Sequence, residues 1–343
     1  MPPGPETLVL NAGDLSCWVA PAMGGSLLRF DYRIGKNRTP LMRPAPDPVL
    51  SPLDSACFPL IPFSNRIADG QFVFAGQPVS LPANIAGIPH PLHGHGWLRA
   101  WTVLEQGPDR VVLTYRHDPD AWPWPYRALL TYTLKPDSLT GRLELHNTGT
   151  APFPAGIGFH PYFPKSGDAT LKAGISSVWH NDAAMLPRRL EPVPPEWDFR
   201  ESRSLALVTL DNGFPGWDGH AELRWPQAGL CLRLQASASL RHLVIYAPTD
   251  QDFVCIEPVS HMTDAVNRHS IAGSGLTVLP AGEALSGEVC FSLSALLDVP
   301  APGQGDLAGG EGDWLSRFSA SSPPSPLTTP PDAFNAVPRP WFQ

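Results

Sequence analysis

No run of 18 uninterrupted apolar residues occurs anywhere in the 343-residue chain, and a bilayer-crossing helix needs about that many. A membrane span of that kind is therefore not expected. The N-terminal residues also lack a basic segment followed by an apolar one, so no secretory signal is expected and the anticipated location is cytoplasmic. Lysine and arginine never gather into a dense run. With 24 basic against 32 acidic residues, the formal net charge is -8, which excludes a nucleic-acid or anionic-membrane footprint. The five cysteines (Cys17, Cys57, Cys231, Cys255, Cys290) form no Cys-x-x-Cys pair, so neither a zinc ribbon nor a redox couple is indicated, and reduced buried thiols are the simplest reading. Long helices are disfavoured as well, because 42 prolines and 30 glycines interrupt the sequence too often.

What remains is a chain of short alternating segments. Period-two patterns at residues 111–115, 128–134, 142–145, 230–234, 240–246 and 252–257 predict strands with one buried face. Residues 275–279 and 287–293 flank Pro280-Ala281-Gly282-Glu283 and read as a hairpin. Residues 259–272 lack Pro and Gly up to their last position, which reads as one short helix or a long loop. No self-similarity at 20–50 residues points to a propeller or solenoid. The hydrophobic fraction of 43% is too high for a disordered chain. Residues 1–298 are accordingly expected to form one all-β domain, a sandwich or barrel. Residues 299–343, with nine prolines and almost no apolar periodicity, read as a disordered tail.

Polar side chains suited to chemistry gather in five places. Asn65 and Arg66 precede a loop-strand-turn segment, and together offer the donors and the acceptor that hydroxyl-rich ligands require. In Leu92-His93-Gly94-His95-Gly96-Trp97, alternation would put His93, His95 and Trp97 on one face of an extended segment. Two readings stay open there. A His-x-His pair has metal-ligand spacing, as in cupins, but Arg99 stands where a ligating glutamate would be wanted; alternatively the glycines admit a close ligand and Trp97 stacks on a sugar. In Gly156–Phe163, Ile157, Phe159 and Phe163 share one face, leaving Gly158, His160 and Tyr162 on the other. A histidine there, titrating near neutrality, suits proton transfer. Gly216-Trp217-Asp218-Gly219 holds a carboxylate beside an aromatic in a turn. Finally, Phe253, Cys255 and Glu257 share one side of an apolar strand. A carboxylate facing apolar neighbours is costly to ionise, and its raised pKa suits a general base.

In this order and spacing, these segments resemble the aldose 1-epimerase (galactose mutarotase) family over about residues 15–295. The carriers are Asn65-Arg66-Ile67 with Gly70 and Gly76, Leu92-His93-Gly94, His160-x-Tyr162-Phe163, and Glu257 before a closing Leu-Pro-Ala-Gly-Glu turn. The resemblance implies a galactose mutarotase-like supersandwich, a large twisted antiparallel β-sandwich, working on a sugar without metal or other cofactor. It implies Glu257 as general base, His160 as general acid and His93 as an assisting histidine. Asn65, Arg66, Tyr162 and Asp218 would bind hydroxyls. His95 and Trp97 enter as substrate-binding candidates on the local argument alone. Two other classes compete: a non-catalytic carbohydrate-binding protein on the same scaffold, and a metal-dependent β-barrel enzyme using the His-x-His pair.

Overall fold

The computed structural model describes residues 6–296; the expected tail at 299–343 lies outside the described residues. Every strand pairing is antiparallel, apart from one isolated bridge between Ile61 and Gly94. One sheet runs Leu8–Ala12, Leu15–Ala20, Ser26–Ile34, Cys57–Leu60, Gly158–Pro164, Phe253–Val259, His242–Ala247, Leu210–Pro215, Ser177–Asn181 and Pro187–Pro192, with Asn37–Pro40 attached to Ser26–Ile34. The second runs Arg203–Ser204, Thr170–Ala173, His220–Trp225, Leu230–Ala236, Ala284–Ala295, Ser138–Asn147, Tyr126–Lys135, Arg110–His117 and Thr102–Gln106. Side chains from both form one continuous apolar core, for example Phe163, Leu243, Val254 and Ile256 from the first with Leu130, Leu143, Leu232 and Phe291 from the second. Each such side chain contributes roughly 1.5–3 kcal/mol on burial. The molecule is a β-sandwich, as the alternation in the sequence predicts.

What positions the functional face is the period of two along the strands. Ile157, Phe159, Phe163, Leu243, Ile245, Val254 and Ile256 enter the inter-sheet core, while Tyr162, Val244, Phe253, Cys255 and Val259 form a separate cluster with Phe58, Leu60 and Trp97 on the outer face of the same sheet. Strands Gly158–Pro164 and Phe253–Val259 are buried along their whole length, so their outer face must also be covered. The loops around Asn65 and His93 do this, and the segment after Val259 clamps the first of them. That segment contains only the one-turn helix Ala265–Asn267.

The expected hairpin around residues 280–283 is not formed. Thr277–Leu279 pairs with Phe153–Ala155, whereas Ala284–Ala295 pairs with Ser138–Asn147 and Leu230–Ala236. The turn itself is present, but Asn147 captures it: its amide donates to the Glu283 carbonyl, its carbonyl accepts from Gly282, and its side chain donates to the Leu279 carbonyl. The two strands leave the turn toward different partners.

Candidate active site

Strand register brings the first two functional groups together. Gly158 is opposite Val259 and Tyr162 opposite Cys255, so His160 comes opposite Glu257 on the outer face. Their side chains meet, with His160 Nε2 3.3 Å from Glu257 Oε1, and are only 7% and 3% exposed. Phe58 and Tyr162 stack against the His160 ring at 4.6 and 4.7 Å between centroids, fixing its plane. The Arg43 guanidinium lies 3.7 Å over the Tyr162 ring and donates to the Leu53 and Ser55 carbonyls.

His93 arrives from a loop rather than a strand. Its φ is 62° and that of Gly94 is 68°, a left-handed pair that reverses the chain so that the imidazole turns inward. A Cβ on Gly94 would fall 2.0 Å from the Ile61 carbonyl oxygen, so only glycine fits this approach. Asn84 holds the loop from outside, accepting from the Leu92 amide and donating to the Leu92 and Gly94 carbonyls at 2.7 and 2.9 Å. From inside, the Trp97 indole donates to the same two carbonyls. The His93 ring then lies 5.0 Å from that of His160, edge to face. Its Nδ1 accepts the Asn65 amide at 3.1 Å, which leaves the ring proton of the neutral imidazole on Nε2, the nitrogen free to donate to a ligand.

Asn65, also at positive φ (55°), accepts the Arg66 backbone amide and guanidinium on Oδ1. Arg66 Nη2 in turn reaches Asp211 Oδ2 at 3.7 Å. Segment 260–268 holds this loop: His261 Nε2 accepts the Ser64 amide, the Asp264 amide donates to the Arg66 carbonyl, and the Asp264 carboxylate accepts the Ala68 amide. The stretch immediately after Glu257 thus clamps the loop that carries Arg66.

Electrostatically, the site favours neutral groups. Burial, reinforced by the Asp211 charge and opposed by Arg66, pushes the Glu257 carboxyl well above its usual range. Burial, with Arg43, holds His160 down at about 3; burial, then His160 and Arg66, lowers His93. Glu257 and His160 therefore hold one proton between them over a wide pH range and titrate as a pair. Glu257 Oε2 and His160 Nδ1 are buried with no hydrogen-bond partner among the described residues.

Of the residues expected from sequence, the structure gathers Asn65, Arg66, His93, His160, Tyr162 and Glu257. It does not gather the other three. The single extended face through His93, His95 and Trp97 is absent, because the chain reverses at His93–Gly94 and enters a one-turn helix at Gly96–Leu98. Trp97 is 1% exposed and stacks on Phe58 at 5.2 Å, so it braces the site from within and offers no face to a sugar. His95 points away, hydrogen-bonded to the Tyr126 hydroxyl and 4.4 Å from the His117 ring, with burial holding it down at about 3. Asp218 is exposed in a turn, where it accepts the His220 amide. The carboxylate found beside Arg66 is Asp211, whose strand position is masked by the following Asn212-Gly213, a strong turn signal. Asn84, His261 and Asp264 also escape a reading by motif, because each acts through backbone groups distant in sequence.

His93, His160 and Glu257 present ligand atoms within 4.8 Å of one another, close enough to suggest a divalent-cation site. The hydrogen bonding argues against one. A metal on His93 Nε2 needs a lone pair there, hence a proton on Nδ1, yet Nδ1 is the acceptor of the Asn65 amide. The remaining pair, His160 and Glu257, falls short of the usual three protein ligands.

Comparison with known proteins follows the same outline. The family model described as aldose 1-epimerase matches residues 6–292. The Escherichia coli (strain K12) uncharacterized protein YphB is 32% identical over 269 residues, 76% of this chain and 91% of the relative. A crystal structure provisionally designated an aldose 1-epimerase, from Escherichia coli K12, has 31% identity and a TM-score of 0.78, covering 85% of this chain and 99% of that one. The galactose 1-epimerase of Lactobacillus acidophilus NCFM, at 18% identity and a TM-score of 0.69, covers 84% of this chain and 93% of that one, and shares the fold.

Proposed function

The chain belongs to the aldose 1-epimerase family, and on that footing we propose that it interconverts the α and β anomers of a free aldose by acid–base ring opening and closure. The observation that carries this reading is the direct 3.3 Å contact of His160 with Glu257. O1 and the ring oxygen are bonded to the same carbon, so the base and the acid that serve them must sit close enough to reach one anomeric centre, as this pair does. Burial favours the tautomer with the proton on Glu257. Passing it across the contact gives carboxylate and imidazolium without changing the proton count. In that form Glu257 takes the proton from the O1 hydroxyl, His160 protonates the ring oxygen, and the C1–O5 bond breaks to the open-chain aldehyde. Rotation about C1–C2 presents the other carbonyl face. His160 then recovers the proton from the O5 hydroxyl as it attacks C1, and Glu257 returns its own to O1.

His93, neutral and with its proton on Nε2, supplies a hydrogen-bond donor where negative charge develops on the substrate oxygens. Arg66 and Asp211, 3.7 Å apart, offer a donor and an acceptor to one or two ring hydroxyls. Tyr162 holds the plane of His160. The test is the optical-rotation or NMR relaxation of freshly dissolved aldoses with and without the protein. Accelerated exchange for at least one sugar, abolished by Glu257→Gln, is the expected result; binding without acceleration across a broad panel would overturn the reading in favour of a carbohydrate-binding module.

A further inference from the structure

An imidazole that moves protons is ordinarily oriented by a hydrogen bond at its other ring nitrogen. His160 has none: its Nδ1 is buried without a hydrogen-bond partner among the described residues. Because χ2 of histidine is a broad torsion, contact at Nε2 alone would let the ring tilt away from Glu257. Packing takes over the orienting role. Phe58, opposite His160 in strand register, lies 4.6 Å away with 22° between ring planes, Tyr162 4.7 Å away at 26°, and His93 5.0 Å away at 85°. With 6.2 Å between the Phe58 and Tyr162 centroids, these two rings stand on different sides of His160 and enclose it as walls.

Each wall is backed by a group with fixed hydrogen bonds. Trp97 backs Phe58 at 5.2 Å, its indole pinned to two carbonyls of the reversed loop, and His93 is held by the Asn65 amide. Tyr162 is backed by Arg43. The Arg43 amide donates to the Tyr162 carbonyl at 2.8 Å, the guanidinium lies 3.7 Å over the Tyr162 ring and 4.7 Å over that of Phe253, and Nη2 donates to the Leu53 and Ser55 carbonyls at 2.6 and 2.9 Å. Arg43 Nε is buried with no hydrogen-bond partner among the described residues, so the two ring faces are what the guanidinium meets in place of water. A planar, weakly hydrated cation suits that place, and the compact, strongly hydrated ammonium of lysine does not. Resting on the reading above, we propose that Arg43 is a positioning residue for the acid–base pair: it keeps the Tyr162 ring against His160 and thereby keeps His160 Nε2 directed at Glu257. It acts through Tyr162 rather than on the sugar.

Anomer exchange of D-glucose and D-galactose, melting temperature and the ring 13C order parameter of His160 are measured for the wild type, Arg43→Lys, Arg43→Gln and Arg43→Met. The two uncharged variants should lower kcat about tenfold or more while KM changes less than about threefold. The His160 order parameter should drop in them from the rigid range, about 0.85, to below about 0.6. Arg43→Lys, charged but not planar, should regain no more than about threefold of the lost kcat. Adding Arg43→Met to Tyr162→Leu should cost less than about twofold further in kcat, because both changes remove the same wall. Wild-type kcat and ring order with only a lower melting temperature would make Arg43 a structural brace, a raised KM with kcat intact would make it a sugar contact, and multiplicative losses in the double variant would show a route independent of Tyr162. Each of these overturns the proposal and leaves the mutarotase reading standing. If neither uncharged variant folds, Arg43→Lys decides: kcat about threefold low or more at wild-type KM, with a less ordered His160 ring, upholds the positioning role, and wild-type values overturn it. If the wild type exchanges no sugar, the mutarotase reading fails by itself and ring order decides: a less ordered His160 in the Arg43 variants that fold upholds the role, and an unchanged one overturns it.

Discussion

A carboxyl and an imidazole sealed under aromatic rings each resist becoming charged, and this sets the behaviour of single residues here. Glu257→Gln retains size and hydrogen bonding but cannot accept a proton, so kcat should fall by about 10² or more with little change in KM. His160→Asn should do the same, and the double variant should be far less than multiplicatively worse, because the two groups act as one unit. The pH profile follows from the pair holding a single proton. A second proton enters only as pH approaches the depressed value of His160, about 3, and the last leaves only above the raised value of Glu257. Activity should thus persist well below pH 6.5 in short assays and decline on the alkaline side. An acid limb centred near pH 6.5 would show that His160 titrates as an ordinary histidine. Because His93 Nδ1 is already engaged by the Asn65 amide, exhaustive chelation should leave kcat unchanged, and metal analysis of active protein should find no stoichiometric zinc.

At the scale of elements, strands supply fixed positions and loops supply direction. Glu257 and His160 are set by register, whereas His93 depends on a reversed loop gripped by Asn84 and Trp97. Asn84→Ala removes three hydrogen bonds to that loop, each worth about 1 kcal/mol net. It should lower kcat about tenfold, more than KM, while the pH profile of the Glu257–His160 pair keeps its shape. A variant losing only thermal stability would show that the loop needs no external support. Gly94→Ala is a harsher test, since its Cβ would collide with the Ile61 carbonyl at a backbone angle disfavoured for alanine. A loss of several kcal/mol, read by chemical denaturation, is expected.

Over the whole molecule, the same burial that keeps the candidate site neutral makes the fold acid-sensitive. His93 and His261, buried, and His95, half-buried, are held below the ordinary histidine value, His95 at about 3 and His261 at about 4. An unfolded chain binds their protons near 6.5, so it holds more protons than the native state between that value and the depressed ones, and stability must rise with pH across this window. Each such histidine contributes a slope of about 1.4 kcal/mol per pH unit. His160 adds no slope here, because the proton it forgoes is held by Glu257, and the unfolded pair also binds one proton between about 4.3 and 6.5. The melting temperature should therefore fall steeply as pH drops from 7 to 4. A flat profile there would mean that these imidazoles are already protonated in the folded state.

The sequence by itself determined the all-β class, the two-faced strands and most of the candidate site, because each is local. Alternation along residues 157–163 and 253–257 suffices to separate Ile157, Phe159 and Phe163 from His160, and to place Glu257 with Cys255. Resemblance in motif order brought in Asn65, Arg66 and His93. Only the tertiary structure decided the rest. Asp211 rather than Asp218 is the carboxylate beside Arg66, because cross-strand register, which no local pattern encodes, carries it there. His95 left the site and Trp97 became its buried brace because two left-handed residues break the alternation that had aligned them with His93. The hairpin at 280–283 dissolved because Asn147, more than 130 residues earlier in the chain, holds the turn. Local periodicity fixes which face a side chain takes; pairing over long sequence separations fixes which side chains meet.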